Sequence, residues 1–265
     1  MVKAVPKSSV DYADYNITVY RYCPYQCRYC YVWRNKLFAS RVQRGKYIPV
    51  EEAVRIAKKC RNGERVVVSF TSDPYPFNEA WMNITRNVIG ALRFNGCPTV
   101  MVLTKNPILA LKDRDVMLPV IVGHECDSET WLGTTITSAD MFNVFSAFLE
   151  PNAPRTRLRL QALKEYQKQG GKVWISIEPI IPAPYFDLYP LSIVNEVLKV
   201  LDPDKIALVV LGRLNYVKQI RKHLPLSGLI TKEEMIKEFY ELHVPPAIDK
   251  LKEHSIPFHV KKELA

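Results

Sequence analysis

The chain has 265 residues, 48% hydrophobic and 24% charged, which excludes a disordered tail, a collagen-like fibre and a small disulfide-stapled domain. Its 37 Lys/Arg against 27 Asp/Glu give a net charge of +10 and a pI near 9.2, and residues 1–50 alone hold nine basic residues against two Asp. The best apolar run, Ile206–Leu211, falls far short of the roughly 18–20 residues of a membrane span. Met1–Asn16 is tyrosine-rich and polar, unlike a secretory leader, so a cytoplasmic protein with no membrane partner is expected.

In chain order, Ile17–Tyr20 is predicted as a strand, Val50–Lys59 as a helix, Arg65–Phe70 as a strand and Ile84–Asn95 as a helix. Strands Thr99–Leu103 and Trp131–Ile136 follow, then helix Arg157–Gln169, strand Lys172–Ile177, helix Leu191–Leu201 and strand Lys205–Leu211. Within Leu191–Leu201, apolar residues recur at helical spacing. Such alternation predicts an α/β fold of parallel βαβ units with right-handed crossovers, as an open sheet or a partial barrel. Both place ligand sites at the C-terminal ends of the strands. Thr231 and Glu234 read as a capping box opening a tail helix, and Pro245–Pro246 as a break before the basic segment Val260–Lys262. With no linker, repeat or low-complexity tract, one domain spanning 1–265 is expected, its core about 15–216, with a helical C-terminal extension over 217–265.

After the first strand stand Cys23, Cys27 and Cys30, a C-x3-C-x2-C loop holding three of the six cysteines. Three thiolates so close can hold zinc or an iron–sulfur cluster. Zinc takes four ligands, and the nearest histidine pair, His254 and His259, lies more than 200 residues away. A 4Fe-4S cluster usually takes four cysteines; three leave one iron open to an amino group and a carboxylate from a small molecule. Cys60, Cys97 and Cys126 read as small buried hydrophobes, with hydrogen-atom donor or fourth cluster ligand as the alternative for Cys126.

This triplet, with Tyr29 as the aromatic before the third cysteine, resembles the signature of the radical S-adenosylmethionine superfamily. Thr71-Ser72-Asp73-Pro74-Tyr75-Pro76-Phe77-Asn78-Glu79, Thr104-Lys105-Asn106, Glu150-Pro151-Asn152-Ala153-Pro154 with Arg157-Leu158-Arg159-Leu160, and Glu178-Pro179-Ile180-Ile181-Pro182 follow in an order similar to that of the spore photoproduct lyases. The resemblance runs from about Ile17 to Tyr216. It implies a partial (β/α)6 TIM-like barrel, a 4Fe-4S cluster on Cys23, Cys27 and Cys30, and S-adenosyl-L-methionine across the strand tops. Tyr29, Thr71, Ser72 and Asp73 would meet the cofactor, the last three at its amino group, although Ser72-Asp73-Pro74 is also a plain turn sequence. Lys105 would face its carboxylate, with a solvated loop lysine as the plain alternative. Arg159 would add a second cation or hold the ribose, or instead pair with a Glu on a helix surface. Ile180 and Ile181 would pack the adenine, or simply fill the core. Those lyases carry a cysteine hydrogen donor beside the Thr-Ser-Asp segment. Here the local sequence is Val68-Ser69-Phe70-Thr71, so repair by that route is not expected.

The chemistry implied is reductive cleavage of S-adenosylmethionine to a 5′-deoxyadenosyl radical that takes hydrogen from a substrate, the electron coming from a flavodoxin or ferredoxin type donor. Seven of the fourteen tyrosines lie by residue 31 (Tyr12, Tyr15, Tyr20, Tyr22, Tyr25, Tyr29 and Tyr31), and Arg34, Lys36, Arg41, Arg44 and Lys46 follow with no acidic residue between 31 and 46. Tyrosines beside cations suit stacked bases, so a nucleic-acid or nucleotide substrate is the first reading; wrapping of the cluster and stem strand is the plain one. Tyr75, Asn78, Glu79, Glu178, Arg213, Asn215 and Tyr216 are the candidate substrate residues. A radical enzyme acting on a peptide or small metabolite, and a non-enzymatic iron–sulfur electron carrier, are the alternatives.

Overall fold

The computed structural model describes residues 8, 10–34, 49–61, 63–69, 71–96, 99–118, 128–139, 144–215, 217, 221–262 and 264, without the side chains of 33 and 34. Arg34 (side chain), Lys36, Arg41, Arg44, Lys46, Cys97, Cys126 and Tyr216 therefore lie outside the described residues.

Seven parallel strands make a half-barrel whose order follows the chain: β1 Tyr15–Ile17, β2 Arg65–Val68, β3 Thr99–Leu103, β4 Glu129–Thr135, β5 Lys172–Ile180, β6 Ile206–Arg213 and β7 Phe258–Val260. The helices are α1 Tyr31–Arg34, α2 Pro49–Ala57, α3 Glu79–Met82, α4 Ile84–Phe94, α5 Pro107–Ala110, α6 Arg114–Met117, α7 Val144–Leu149, α8 Thr156–Lys168, α9 Pro190–Val200 and α10 Glu233–Glu253. The strands read as nearly continuous apolar runs because both faces are covered. On one face Val66, Val68, Val100, Val102, Ile175 and Val209 share a core with Ile56, Ile89 and Leu92 of α2 and α4 and Leu160 and Leu163 of α8.

The alternate residues form a second core. Val67, Met101, Trp131, Trp174, Leu208 and Val210 pack with Val10, Tyr12 and Ala13 of the N-terminal segment. Gly133 is required at this level: a Cβ there would lie 2.3 Å from Trp174 Nε1, which donates to the Val102 carbonyl at 3.1 Å. Beyond the tryptophan, toward the strand ends, the inward positions become the smaller Thr135 and Ser176, register partners on β4 and β5, and space opens.

Four expectations change. The first strand ends at Ile17 rather than Tyr20, because its partner β2 stops at Val68 and Ser69 turns away with φ 65°. α10 runs through Pro245 and Pro246 instead of breaking. Prolines cost hydrogen bonds, but Val244, Ala247 and Leu251 keep the helix packed on the core. The helix starts after Lys232, placing Thr231 one residue too early to cap, and no side-chain cap forms. The extension is also not purely helical, for it closes with β7 alongside β6.

Candidate active site

All seven strands end at one rim, and there a cavity opens. Cys23, Cys27, Tyr29, Cys30 and Tyr31 form one wall, and Ser69, Thr71, Ser72, Asp73, Leu103, Thr104 and Lys105, after β2 and β3, form the next. Thr135 and Ser176 lie between them and Glu178, Pro179, Arg213, Leu214 and Asn215, which complete the lining from β5 and β6. The sequence-predicted cysteines, the Thr71–Asp73 segment and Lys105 thus come together around one space.

The cysteine loop is held by turns and by a distant latch. Gln26 takes a left-handed φ of 48°, and the Cys30 amide donates to the Cys27 carbonyl at 3.0 Å. The Arg28 amide donates to the Leu149 carbonyl and its Nε to the Phe148 carbonyl, both at 2.8 Å. Asn152 Nδ2 donates to the Pro24 carbonyl at 3.0 Å. Among the described residues no three His, Cys, Asp or Glu side chains converge on a single ion; the thiols are spread along a wall. Burial pushes the Cys23 thiol up to about 12, with the Asp73 charge adding to it, and burial likewise raises Cys27.

Glu150 is the residue that the sequence reading missed as a site member, although its Glu-Pro-Asn segment stood out. Its carboxylate, 1% exposed, accepts the Tyr29 hydroxyl, Lys105 Nζ at 2.9 Å and Arg159 Nη2. Lys105 also donates to the Tyr29 hydroxyl at 2.8 Å and sits 5.3 Å from that ring's centroid. Burial alone would raise the Glu150 pKa, but Arg159 and then Lys105 hold it down to about 2. Burial would likewise lower Lys105, and Glu150 reverses that.

Arg159 is wholly buried and spends its donors inward: Nη1 on the Thr135 carbonyl at 2.9 Å, Nε on the Pro154 carbonyl at 2.6 Å and Nη2 on Glu150. It is absent from the lining, so the structure makes it a brace for Glu150 rather than a second cation in the cavity. Ile180 and Ile181 are also fully buried and off the wall. Ile180 belongs to the main core, and Ile181 to the apolar cluster of Tyr25, Cys27 and Leu214 beneath the loop.

Asp73 is caged by the Tyr75 amide at 2.9 Å, the Thr104 hydroxyl at 2.6 Å and the Lys105 amide at 2.7 Å; burial outweighs these bonds and leaves its pKa raised. The Thr71 hydroxyl lies 3.0 Å from that of Thr18. Ser72 Oγ is buried on the lining with no hydrogen-bond partner.

Of the candidate substrate residues, Glu178, Arg213 and Asn215 line the cavity. Glu178 pairs with Lys261 Nζ at 2.7 Å, and Gly212 makes the room, since a Cβ there would lie 2.8 Å from Glu178 Cγ and 3.0 Å from Lys261 Cδ. Arg213 reaches Asn215 Oδ1 at 3.3 Å and Glu233 at 3.2 Å. Tyr75, Asn78 and Glu79 are off the lining and brace the loops instead. Tyr75 donates to Asp113 at 3.0 Å and takes the Tyr25 hydroxyl on its carbonyl; Glu79 accepts the Tyr20 hydroxyl and the Thr85 amide; Asn78 Nδ2 lies 3.0 Å from Met82 Sδ. Most of the early tyrosines are structural as well: Tyr12, Tyr15, Tyr25 and Tyr29 are buried, Tyr22 is exposed, and Tyr31 faces the cavity.

A parallel half-barrel with a three-cysteine loop after its first strand defines the fold class, and it is the fold of spore photoproduct lyase. A lyase variant solved with AdoMet and dinucleoside spore photoproduct aligns over 92% of this chain and 78% of its own, with TM-score 0.60 and 17% identity. Another, solved with dinucleoside spore photoproduct, aligns over 97% and 78% with TM-score 0.64 and 15% identity. The chain is also 26% identical over 181 residues to the uncharacterized protein MJ0683 of Methanocaldococcus jannaschii; the match covers 68% of this chain and 65% of that relative, just under two thirds of its length. No protein-family model matches the chain. Among the described residues no helix is long and apolar enough to cross a membrane.

Proposed function

We propose that the chain is a radical S-adenosylmethionine enzyme acting on a nucleic acid or nucleotide, in lesion repair or base modification. The observation that carries the reading is that three cysteines, an orphaned buried hydroxyl (Ser72 Oγ) and Lys105 all line one cavity at the strand ends. The donor set fits the group: soft thiolates for iron, and an unsatisfied oxygen acceptor where an ammonium would lie. Cys23, Cys27 and Cys30 would hold a 4Fe-4S cluster, which when bound beside S-adenosylmethionine would supply one-electron radical chemistry. Tyr29 and Glu150 fix the loop and the position of Lys105, while Ser72 and the caged Asp73 orient the amino end. Glu178, Arg213 and Asn215 face the substrate.

The substrate class draws support from the net charge of +10 and from the dinucleoside held by the lyase of like fold. The test is anaerobic reconstitution, reduction, and assay of 5′-deoxyadenosine beside a Cys30→Ala control, with binding of single-stranded DNA and RNA followed against salt. Product and an absorbing cluster that both vanish in Cys30→Ala are expected. A chain that binds no iron, or binds it equally without Cys30, overturns the reading; nucleic-acid binding absent at low salt overturns the substrate class.

A further inference from the structure

On the inner face of β5 the chain runs Trp174, Ser176, Glu178: the indole fills the lumen, and the next two line the cavity. A register shift between Ile177 and Ile180 falls at Glu178 and Pro179, the kind of irregularity that re-aims a side chain at a site. Glu178 is held by Lys261 Nζ at 2.7 Å, the two side chains being 17% and 10% exposed. Lys261 is not on the lining, so the cavity meets the carboxylate rather than the ammonium. A largely buried ion pair often stabilises no better than apolar residues of the same volume, and glycine weakens the interior of a strand. The chain accepts both here, since a Cβ on Gly212 would press on both members of the pair. Packing alone does not account for a carboxylate at this level of the lumen.

Among the described residues two carboxylates line the cavity, Asp73 and Glu178. Asp73 already accepts three bonds from its own loops. A carboxylate offers about four acceptor positions and no donor, so the lysine contact does not saturate Glu178. On the neighbouring strand end, Asn215 Oδ1 accepts Arg213 Nε at 3.3 Å, which commits the amide oxygen and leaves its NH2 as a donor. The wall therefore offers two acceptors and then a donor. Among the nucleobases, guanine alone presents two adjacent N–H donors, N1–H and the 2-amino group, beside an acceptor, O6. Adenine, cytosine, thymine and uracil each set a lone pair next to the donor, and it would face the second carboxylate oxygen.

Resting on the nucleic-acid or nucleotide substrate read above, we propose that Glu178 makes the cavity specific for guanine. Its two oxygens take N1–H and the 2-amino group, and Asn215 donates to O6. Lys261 is a positioning residue that holds the carboxylate in place. The same base edge belongs to a free guanine nucleotide and to a guanine turned out of a strand.

The experiment is titration calorimetry on the reconstituted holoprotein and its Glu178→Gln and Glu178→Gln/Lys261→Met variants. The probes are the monophosphates of guanosine, inosine, adenosine, cytidine and uridine, and a short single strand carrying one guanine or one inosine. Guanosine monophosphate is expected to bind tightest. Inosine monophosphate, which lacks the 2-amino donor, should bind roughly tenfold more weakly, and the other three more weakly still. Both variants should bind the guanosine and inosine nucleotides alike; the double variant does so without leaving a lysine in place of the pair. A guanine strand that outbinds the mononucleotide assigns the base to a nucleic acid, and a mononucleotide that binds as tightly as the strand assigns a free nucleotide. Equal affinity for every nucleotide, binding of no probe, or a guanine preference that survives in the double variant overturns the proposal. Strand binding without base preference removes guanine specificity and leaves the nucleic-acid reading standing, and Cys30-dependent formation of 5′-deoxyadenosine scores the radical chemistry separately.

Discussion

Arg159 and Glu150 form an ion pair buried at 0% and 1% side-chain exposure, and Lys105 closes on the other carboxylate oxygen from the end of β3. A buried carboxylate between two cations is stable only as a set, because removing one partner leaves charge in a low-dielectric interior. Glu150→Gln is therefore expected to cost roughly 3–5 kcal/mol in chemical denaturation near neutrality. The Glu150 pKa is depressed from 4.5 to about 2, so its contribution is complete above 4.5, declines as pH falls through that window and is gone below about 2. The gap between wild type and variant should close over the same window; a pH-independent gap would assign the loss to packing.

Ser72 makes the opposite kind of prediction. Its hydroxyl is buried without a partner, so Ser72→Ala removes nothing that the ligand-free fold uses. Thermal stability should hold or rise slightly, while S-adenosylmethionine binding weakens by roughly tenfold, the value of one hydrogen bond to a charged group. Titration calorimetry on reconstituted protein checks it. Unchanged affinity would remove Ser72 from the ligand's path.

Gly133→Ala should lower stability by roughly 1–3 kcal/mol through overpacking. The added methyl meets the Trp174 indole within 2.3–2.6 Å, and the indole is anchored by its bond to Val102. A shifted tryptophan emission spectrum should accompany the loss. Stability equal to wild type would mean that the inner layer can slide.

Glu178 and Lys261 join β5 to the chain just past β7. Lys261→Met and Glu178→Gln each remove one half of this mostly buried pair. The double variant should therefore be less destabilised than the sum of the two, with a coupling of about 1–3 kcal/mol in a double-mutant cycle. Additive losses would show that the pair contributes nothing as a pair.

Much of this was legible because local pattern and packing agree. β3 runs over the predicted residues, and the helices α4, α8 and α9 fall within a residue of theirs. The cysteine triplet marked the loop, and its place after β1 put it at the strand ends. What escaped was set by distant partners. Tyr75 and Glu79 sit in a motif beside Asp73, yet their side chains turn to Asp113 and Tyr20, and spacing along the chain cannot report this. Arg159 looked like an available cation because nothing local reveals that Thr135 and Pro154 carbonyls await it. β7 is three residues long, too short for any periodicity to register.

Because strand order equals chain order, each strand can dock on its predecessor as it emerges during synthesis, and the sheet grows from one edge. The cysteine loop is the exception to this orderly growth. Its latches at Phe148, Leu149 and Glu150 are made about 120 residues after the thiols. While those residues are being made the three cysteines stand uncovered, open to oxidation until the later segment arrives to shut them in.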